Sequence, residues 1–524
     1  MNHGLAKVLA EGVRDHGAEI VFGMPGGGPN LDVVGAAGDA GLRFVLAHGE
    51  TAACMMAGTF GLLTGRPGLA IATRGPGAAC ATNGAAQATL DRFPLLVVTD
   101  CVGSNDRARF AHQRFDQQQL FAAVTKWSGR LVATPRAGDV VRDALAIAAA
   151  RPAGAVHLDY DPHGQETAAP AQATLPQSSD DVVVHAAELV RHAERPLAIV
   201  GIEAIGSSRD VLAVLERLGC PVLTTYQALG VVPEGHPQQA GLYTSGAIEA
   251  SIIGECDLVL AVGLDQVEPM PSPWRYDVPV VSVSEVTACS TLVPITVEVL
   301  GPLAATLDRV VGGPSTGWPA GSGAAALAKA RAALAASSVG NFGPLELAAA
   351  AAAAAPTQAT ATVDAGAHFL AVMPFWPAAA PLRLLISNGL ATMGFALPAA
   401  IGAALARPGL PVVCMVGDGG LAMTLAELET LARLQLPVTV VVFDDAALSL
   451  IEVKQRSGQG GPEAVRFAPV DYAQVASAMG LESAVVTTAA EATAVLSGGW
   501  DHPRLIDARI DPSSYAPLIA ATRG

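Results

Sequence analysis

Pro411-Val-Val-Cys-Met-Val-Gly417-Asp418-Gly419-Gly420 continues through Leu421 to Gln435 into Pro437-Val-Thr-Val-Val-Val-Phe443-Asp444-Asp445, and this stretch decides the fold. An apolar run ending in glycines, a segment with leucines at 425, 428, 431 and 434, and a second apolar run read as strand, turn, helix and strand. Strands apolar along their whole length are buried on both faces, as in parallel sheets. A right-handed crossover sets the two strands side by side, with both carboxyl ends at the edge where open α/β sheets bind ligands. Asp418 and Asp445 each follow such an end, so they should lie close together. Two carboxylates there can hold a hard divalent cation such as Mg²⁺, which commonly bridges to phosphate oxygens. Gly417, Gly419 and Gly420 let backbone N–H groups approach an anion at the start of the following helix. Gly-Asp-Gly also closes ordinary turns; the predicted crossover is what favours a metal and phosphate site.

The same alternation extends outward. In the middle third, Leu197-Ala-Ile-Val-Gly201, Pro221-Val-Leu-Thr-Thr225, Leu258-Val-Leu-Ala-Val-Gly263 and Pro279-Val-Val-Ser-Val283 are short apolar runs separated by helical patterns such as Val211 to Leu218. Segments rich in Ala, Pro, Gln and Ser at 165–181, and in Gly, Pro and Ser at 312–323, read as linkers. The expectation is an α/β protein of three doubly wound parallel-sheet domains, at 1–168, 182–312 and 340–524. Ala348 to Ala355 fit a helix closed by Pro356.

Composition narrows the classes. The 524 residues carry a net charge of −16, with 51% hydrophobic and 15% charged residues. That balance opposes nucleic-acid binding, which needs a basic patch, and disorder, which needs low hydrophobicity. Mean hydropathy is +0.41, and the most membrane-like run is Gly389 to Ala406. It contains Gly394 and Pro398, ends at Arg407 and has no aromatic belt, so no membrane span is expected. Seven cysteines without a Cys-x-x-Cys pair suit neither a disulfide framework nor a zinc site. With no secretory pattern at Met1-Asn2-His3-Gly4, the expected compartment is cytoplasmic.

Gly417-Asp418-Gly419, with an acidic pair closing the next strand, resembles the thiamin diphosphate motif of the decarboxylase and acetolactate synthase superfamily. That motif normally ends in Asn-Asn; Asp444-Asp445 stands here, which adds negative charge beside a diphosphate, and an Asp in this pair resembles the catabolic, FAD-independent acetolactate synthases. The resemblance implies Mg²⁺ on Asp418, Asp445 and the carbonyl of Ala447. Ile386-Ser-Asn-Gly-Leu-Ala391-Thr-Met393-Gly-Phe-Ala-Leu-Pro398 is similar to the loop that holds the cofactor's pyrimidine. There the Ala391 carbonyl accepts from the 4′-amino group, while Met393 donates its N–H and wedges under the bend between the rings. Asp364-Ala-Gly366-Ala-His368 resembles the diphosphate-contacting turn, with Ala367 in place of the usual Gln. Leu448 and Ile451 are nominated for the pocket wall.

The first third matches too. Val21-Phe-Gly-Met-Pro25-Gly26, Phe44-Val-Leu-Ala-His48-Gly49-Glu50 and Ala72-Thr73-Arg74-Gly75-Pro76-Gly77 follow the family pattern, with Pro25, Gly26 and Thr73 as cofactor contacts. Arg74 replaces the usual Ser, and Cys80 an Asn. Alone, Glu50 would be a first-turn glutamate favoured by the helix dipole. The resemblance makes it the residue that hydrogen-bonds the pyrimidine nitrogen and promotes the imino tautomer. Asn105-Asp106-Arg107-Ala-Arg109-Phe-Ala-His112-Gln113 is similar to catabolic acetolactate synthases, where His112 and Gln113 would reach the bound oxoacid.

The implied activity is decarboxylation of a 2-oxoacid such as pyruvate and ligation of the resulting unit to an acceptor carbonyl. The implied assembly is a homodimer, or a dimer of dimers, with the active site at the interface. A non-ligating decarboxylase or aldehyde lyase of the benzoylformate decarboxylase kind, an FAD-dependent oxidase relative and a non-catalytic homologue are the alternatives. Some relatives hold FAD or ADP in the central domain; FAD is possible here but not indicated.

Overall fold

A computed structural model describes residues 3–103, 106, 109, 111–171, 174–270, 272–287, 292–314, 317–455 and 459–523. Three six-stranded sheets, all parallel, follow one another along the chain. In the first, β1 (Ile20–Met24), β2 (Arg43–Leu46), β3 (Gly68–Ala72), β4 (Leu95–Asp100), β5 (Trp127–Leu131) and β6 (Ala155–Tyr160) lie in the order β2-β1-β3-β4-β6-β5. In the second, β7 (Pro196–Val200), β8 (Val222–Thr224), β9 (Gln239–Leu242), β10 (Leu258–Val262), β11 (Val280–Ser284) and β12 (Val297–Leu300) take the order β12-β11-β10-β7-β8-β9. In the third, β13 (Thr360–Val363), β14 (Leu384–Ile386), β15 (Val412–Gly417), β16 (Val438–Asp444), β17 (Glu482–Val486) and β18 (Arg504–Arg509) take the order β14-β13-β15-β16-β18-β17.

The central strands bury both faces, as their unbroken Val, Ile and Leu content requires; β7, β10 and β16 have no exposed residue. β15 and β16 pair from Val412↔Val438 to Gly417↔Phe443, so Asp418 and Asp445 leave the sheet at one edge. The segment between them is not a single helix from Leu421. It forms two helices, Asp418–Thr424 and Glu427–Leu434, the first starting on the strand's last glycine. Leu428 and Leu431 are fully buried, while Leu425 and Leu434 pack at the margin of the core.

The membrane-like run becomes the buried helix Ala396–Ala406, and among the described residues no helix is long and apolar enough to cross a membrane. That helix packs on Glu50–Thr64 of the first domain, and one apolar core runs through both. The approach depends on Gly402, where a Cβ would stand 2.4 Å from the Met56 carbonyl oxygen. The poly-alanine stretch lies in the helix Pro344–Ala354. Polar ties fix the domains further. Arg92 grips Asp265 through two hydrogen bonds of 2.8 Å. Buried Asp91 accepts from Ser387 Oγ and from Gly389 N, each at 2.6 Å.

Candidate active site

A cavity of about 230 Å³ opens at the carboxyl edge of the third sheet. Its lining includes Gly366, His368, Ala391, Met393, the Gly417–Gly420 turn, Asp445, Ala447, Leu448 and Ile451. Three segments distant in sequence thus converge because β13, β15 and β16 are neighbours and the loop before Ala396–Ala406 folds across their ends. Asp364, just past β13, ties that loop down. Its carboxylate accepts the N–H groups of Gly394, Phe395 and Ala396 at 3.0, 2.9 and 3.4 Å. Gly420 lies so close to Asp364 Oδ2 that a Cβ there would stand 1.9 Å away, so the glycine turn and the tied loop form one rigid floor.

The carboxylates set the electrostatics. Asp418 Oδ1 accepts the Gly419 N–H at 2.7 Å, and its Oδ2 is buried with no partner. Asp445 accepts the Ala447 N–H at 3.2 Å and the Ser449 hydroxyl at 2.5 Å. Burial first, and then the Asp445 charge, pushes Asp418 up to about 7; burial pushes Asp445 up to about 6. The lining holds these two carboxylates and no Lys or Arg. An anionic diphosphate would need a cation here to reverse the local sign. Among the described residues no cluster of three His, Cys, Asp or Glu side chains stands ready for a metal. The two acidic side chains, the orphaned Asp418 oxygen, the glycine cradle and the hard-oxygen chemistry of the set fit Mg²⁺ with a diphosphate.

Buried His368 stacks on Phe443 at 5.1 Å and its Nε2 has no partner; burial lowers its pKa to about 4, so it is neutral. Ala391 and Ala446 adopt positive φ angles of 54° and 55°, a conformation that costs an alanine about 1–2 kcal/mol. Ala391 lines the cavity and Ala446 lies between the lining residues Asp445 and Ala447, the kind of place where such strain is retained.

The first domain's candidates form a separate group. Glu50 begins the helix Glu50–Thr64. Its Oε1 would lie 2.9 Å from a Cβ on Gly77, and Gly26 packs directly on Thr73. Gly75, at φ 68°, lies against Gln113, itself at φ 55°. Arg74 Nε approaches Gln113 Oε1 at 3.5 Å. Pro25 is half-buried at the same edge, and His112 is exposed. None of these six, Pro25, Gly26, Glu50, Thr73, His112 and Gln113, lines the cavity. Asn105 and Arg107 of the quoted loop lie outside the described residues. Residues that the motifs did not single out also line the cavity, among them Phe443, Ser449, Leu450 and Tyr515. The Ser449 spacing, four residues after Asp445, carried a local signal; Tyr515 carried none.

Three family models match this chain in order. The thiamine pyrophosphate enzyme N-terminal TPP binding domain matches residues 3–120, the central domain 183–310 and the C-terminal TPP binding domain 364–508. The chain belongs to the thiamine pyrophosphate enzymes and is acetolactate synthase-like. It is 28% identical to the acetolactate synthase of Bacillus subtilis, over 98% of this chain and 94% of that protein. It is 27% identical to a probable acetolactate synthase large subunit of Methanocaldococcus jannaschii, over 98% and 93%. A catabolic acetolactate synthase of Raoultella terrigena is 26% identical over 91% and 89%. The cavity lies within the C-terminal TPP binding match and Glu50 within the N-terminal one, apart from Tyr515, which follows the matched span.

Proposed function

We propose that this enzyme decarboxylates pyruvate, or a close 2-oxoacid, and joins the two-carbon unit to the carbonyl of a second 2-oxoacid, giving an acetolactate-type product. The observation that carries this is the cavity in which Asp418, Asp445 and the 417–420 glycines meet Ala391 and Met393. Thiamin diphosphate, when bound, supplies the nucleophilic carbon and the electron sink. Asp418, Asp445 and the Ala447 carbonyl would hold Mg²⁺, with the glycine amides and His368 around the diphosphate. Ala391 and Met393 would orient the pyrimidine. Glu50 would hold a proton against the pyrimidine nitrogen, and Gln113 and His112 would bind the oxoacid. Pro25, Gly26 and Thr73 shape the wall behind Glu50, while Leu448 and Ile451 bound the substrate side.

Because Glu50 and the cavity form separate groups in one chain, the working unit is proposed to be a homodimer, or a dimer of dimers, in which one protomer's Glu50 completes its partner's cavity. Exposed Met24 and Leu46 beside the first group, and Met423, Ile451 and Phe467 beside the second, give that interface apolar surface. The cytoplasm is the proposed compartment; the six cysteines among the described residues are free thiols, as a reducing compartment maintains them. The test supplies the protein with thiamin diphosphate, Mg²⁺ and single 2-oxoacids, and follows CO₂ and product together. Acetolactate with stoichiometric CO₂ is expected from pyruvate. Aldehyde without a hydroxyketone would overturn ligation, and no CO₂ from any 2-oxoacid would overturn the reading.

A further inference from the structure

Tyr515 reaches the cavity from an element outside every motif in the sequence. It opens the helix Tyr515–Arg523, is 2% exposed, and lines the cavity with Asp418, Asp445 and Ser449. Its ring belongs to the apolar core that includes Ala367, Leu370 and Phe443, which leaves the hydroxyl as its polar atom. Two of the residues that line the cavity carry side-chain hydroxyls, Ser449 and Tyr515. Ser449 spends its proton on Asp445 Oδ2, and no Lys or Arg is present, so the Tyr515 O–H is the uncommitted hydroxyl donor. Burial, with Asp445 and Asp418 near, holds that hydroxyl well above the ordinary tyrosine value, and it keeps its proton at neutral pH.

The helix is clamped at both ends. Ser514 Oγ accepts the Val339 N–H at 2.9 Å and donates to the Val339 carbonyl at 3.0 Å. At the far end the Thr522 carbonyl accepts the Ala247 N–H at 2.9 Å, and Arg523 donates to the Thr244 carbonyl at 3.2 Å. A donor fixed in this way loses little freedom when a ligand arrives.

We propose that the Tyr515 hydroxyl donates a hydrogen bond to a phosphate oxygen of the bound diphosphate. This rests on the reading of the cavity as the diphosphate site. The test compares the wild-type protein with Tyr515→Phe, which removes one oxygen and keeps the ring. Each is titrated calorimetrically, in saturating Mg²⁺, with thiamin diphosphate and with inorganic pyrophosphate. Loss of a hydrogen bond to a charged acceptor is expected to weaken both ligands by the same factor, about tenfold or more. The urea midpoint of the ligand-free protein is expected to stay unchanged. Equal affinities in wild type and variant would overturn the role of Tyr515. Weakening confined to thiamin diphosphate would also overturn it, by placing the residue away from the phosphates. A wild-type protein that binds neither ligand would instead overturn the reading of the cavity.

Discussion

The carboxylate of Asp364 accepts the backbone N–H of Phe395 at 2.9 Å. The two residues belong to different segments, so this bond, with those to Gly394 and Ala396, fixes the Ala391–Met393 loop to the end of β13. Removing the acceptor leaves buried amides unpaired, at about 1–3 kcal/mol for each. Asp364→Ala is expected to lower the urea midpoint markedly and to weaken thiamin diphosphate binding. Asp364→Asn, which keeps an acceptor oxygen, is expected to lose less. Equal midpoints for wild type and Asp364→Ala would remove the residue from this role.

Gly420 is the other half of the same floor. A Cβ there would lie 1.9 Å from Asp364 Oδ2, so Gly420→Ala must displace either the carboxylate or the glycine turn. Overpacking of this kind costs about 1–3 kcal/mol or more. Gly35, in the helix Asn30–Asp39, has nothing within 4 Å of its would-be Cβ. Gly35→Ala is therefore the control, expected to be neutral or mildly stabilising. Chemical denaturation of the two variants, followed by cofactor titration, separates them; similar midpoints would argue against a tight floor.

Glu50 sits at the first turn of its helix, outside the core, so its replacement leaves the packing intact. Glu50→Gln is expected to keep fold and cofactor affinity while losing about 10²–10⁴-fold in turnover, the usual contribution of a positioned proton-transfer group. Mixing Glu50→Gln with Asp418→Asn protein, each inactive alone, is expected to restore part of the activity, because a mixed dimer contains one intact pair. No recovery on mixing would place both residues in the same protomer's site.

Much of this was legible in the sequence. β15, β16 and the 417–420 turn announce themselves through unbroken Val runs and glycines, because local steric rules dictate them. The meeting of Asp418 and Asp445 was legible because parallel strands put their carboxyl ends at one edge, whereas Gly366, Ala391 and Met393 were legible only through their resemblance to the family's motifs. Tertiary effects were not legible. The break between Thr424 and Glu427 interrupts a continuous leucine pattern. The capping by Asp364 needs a partner 30 residues away, and Tyr515 enters from a helix that only the packed fold brings there. Glu50 does not line the cavity in one chain, and only the resemblance to the family, not any local pattern, suggested a shared site.

The central sheet makes a prediction about flavin. At its carboxyl edge, where a nucleotide's phosphates would seek backbone amides, the buried Glu268 carboxylate accepts the N–H of Ile202 at 3.0 Å and of Asp265 at 2.9 Å. Gly201 lies against it, with a would-be Cβ 2.4 Å from Oε2. The chain's own acid thus occupies that crevice. The purified protein is expected to be colourless and to show no saturable FAD binding in a fluorescence-quenching titration. A yellow preparation with flavin absorbance would refute this.

Beneath the Glu50 group, His157 is fully buried between the hydroxyls of Ser128 and Thr99, each 2.8 Å from a ring nitrogen, and stacks on Phe121 at 3.8 Å. Asp159 Oδ1 lies 3.7 Å away, but it accepts from Gln117 and Thr99. Burial prevails and lowers the imidazole's pKa to about 3. The unfolded chain takes up a proton below about pH 6.5, and the folded chain does so only near pH 3, so stability falls as the pH drops through that window. The contribution is flat above pH 7 and declines by about 1.4 kcal/mol per pH unit below 6.5. His157→Gln lacks the titrating group. The stability difference between wild type and this variant, from urea unfolding at pH 5, 6, 7 and 8, is expected to shift against the wild type by about 2 kcal/mol between pH 7 and 5. A difference that stays constant across those four values would mean that His157 titrates alike in both states, and that the buried network accommodates its charge.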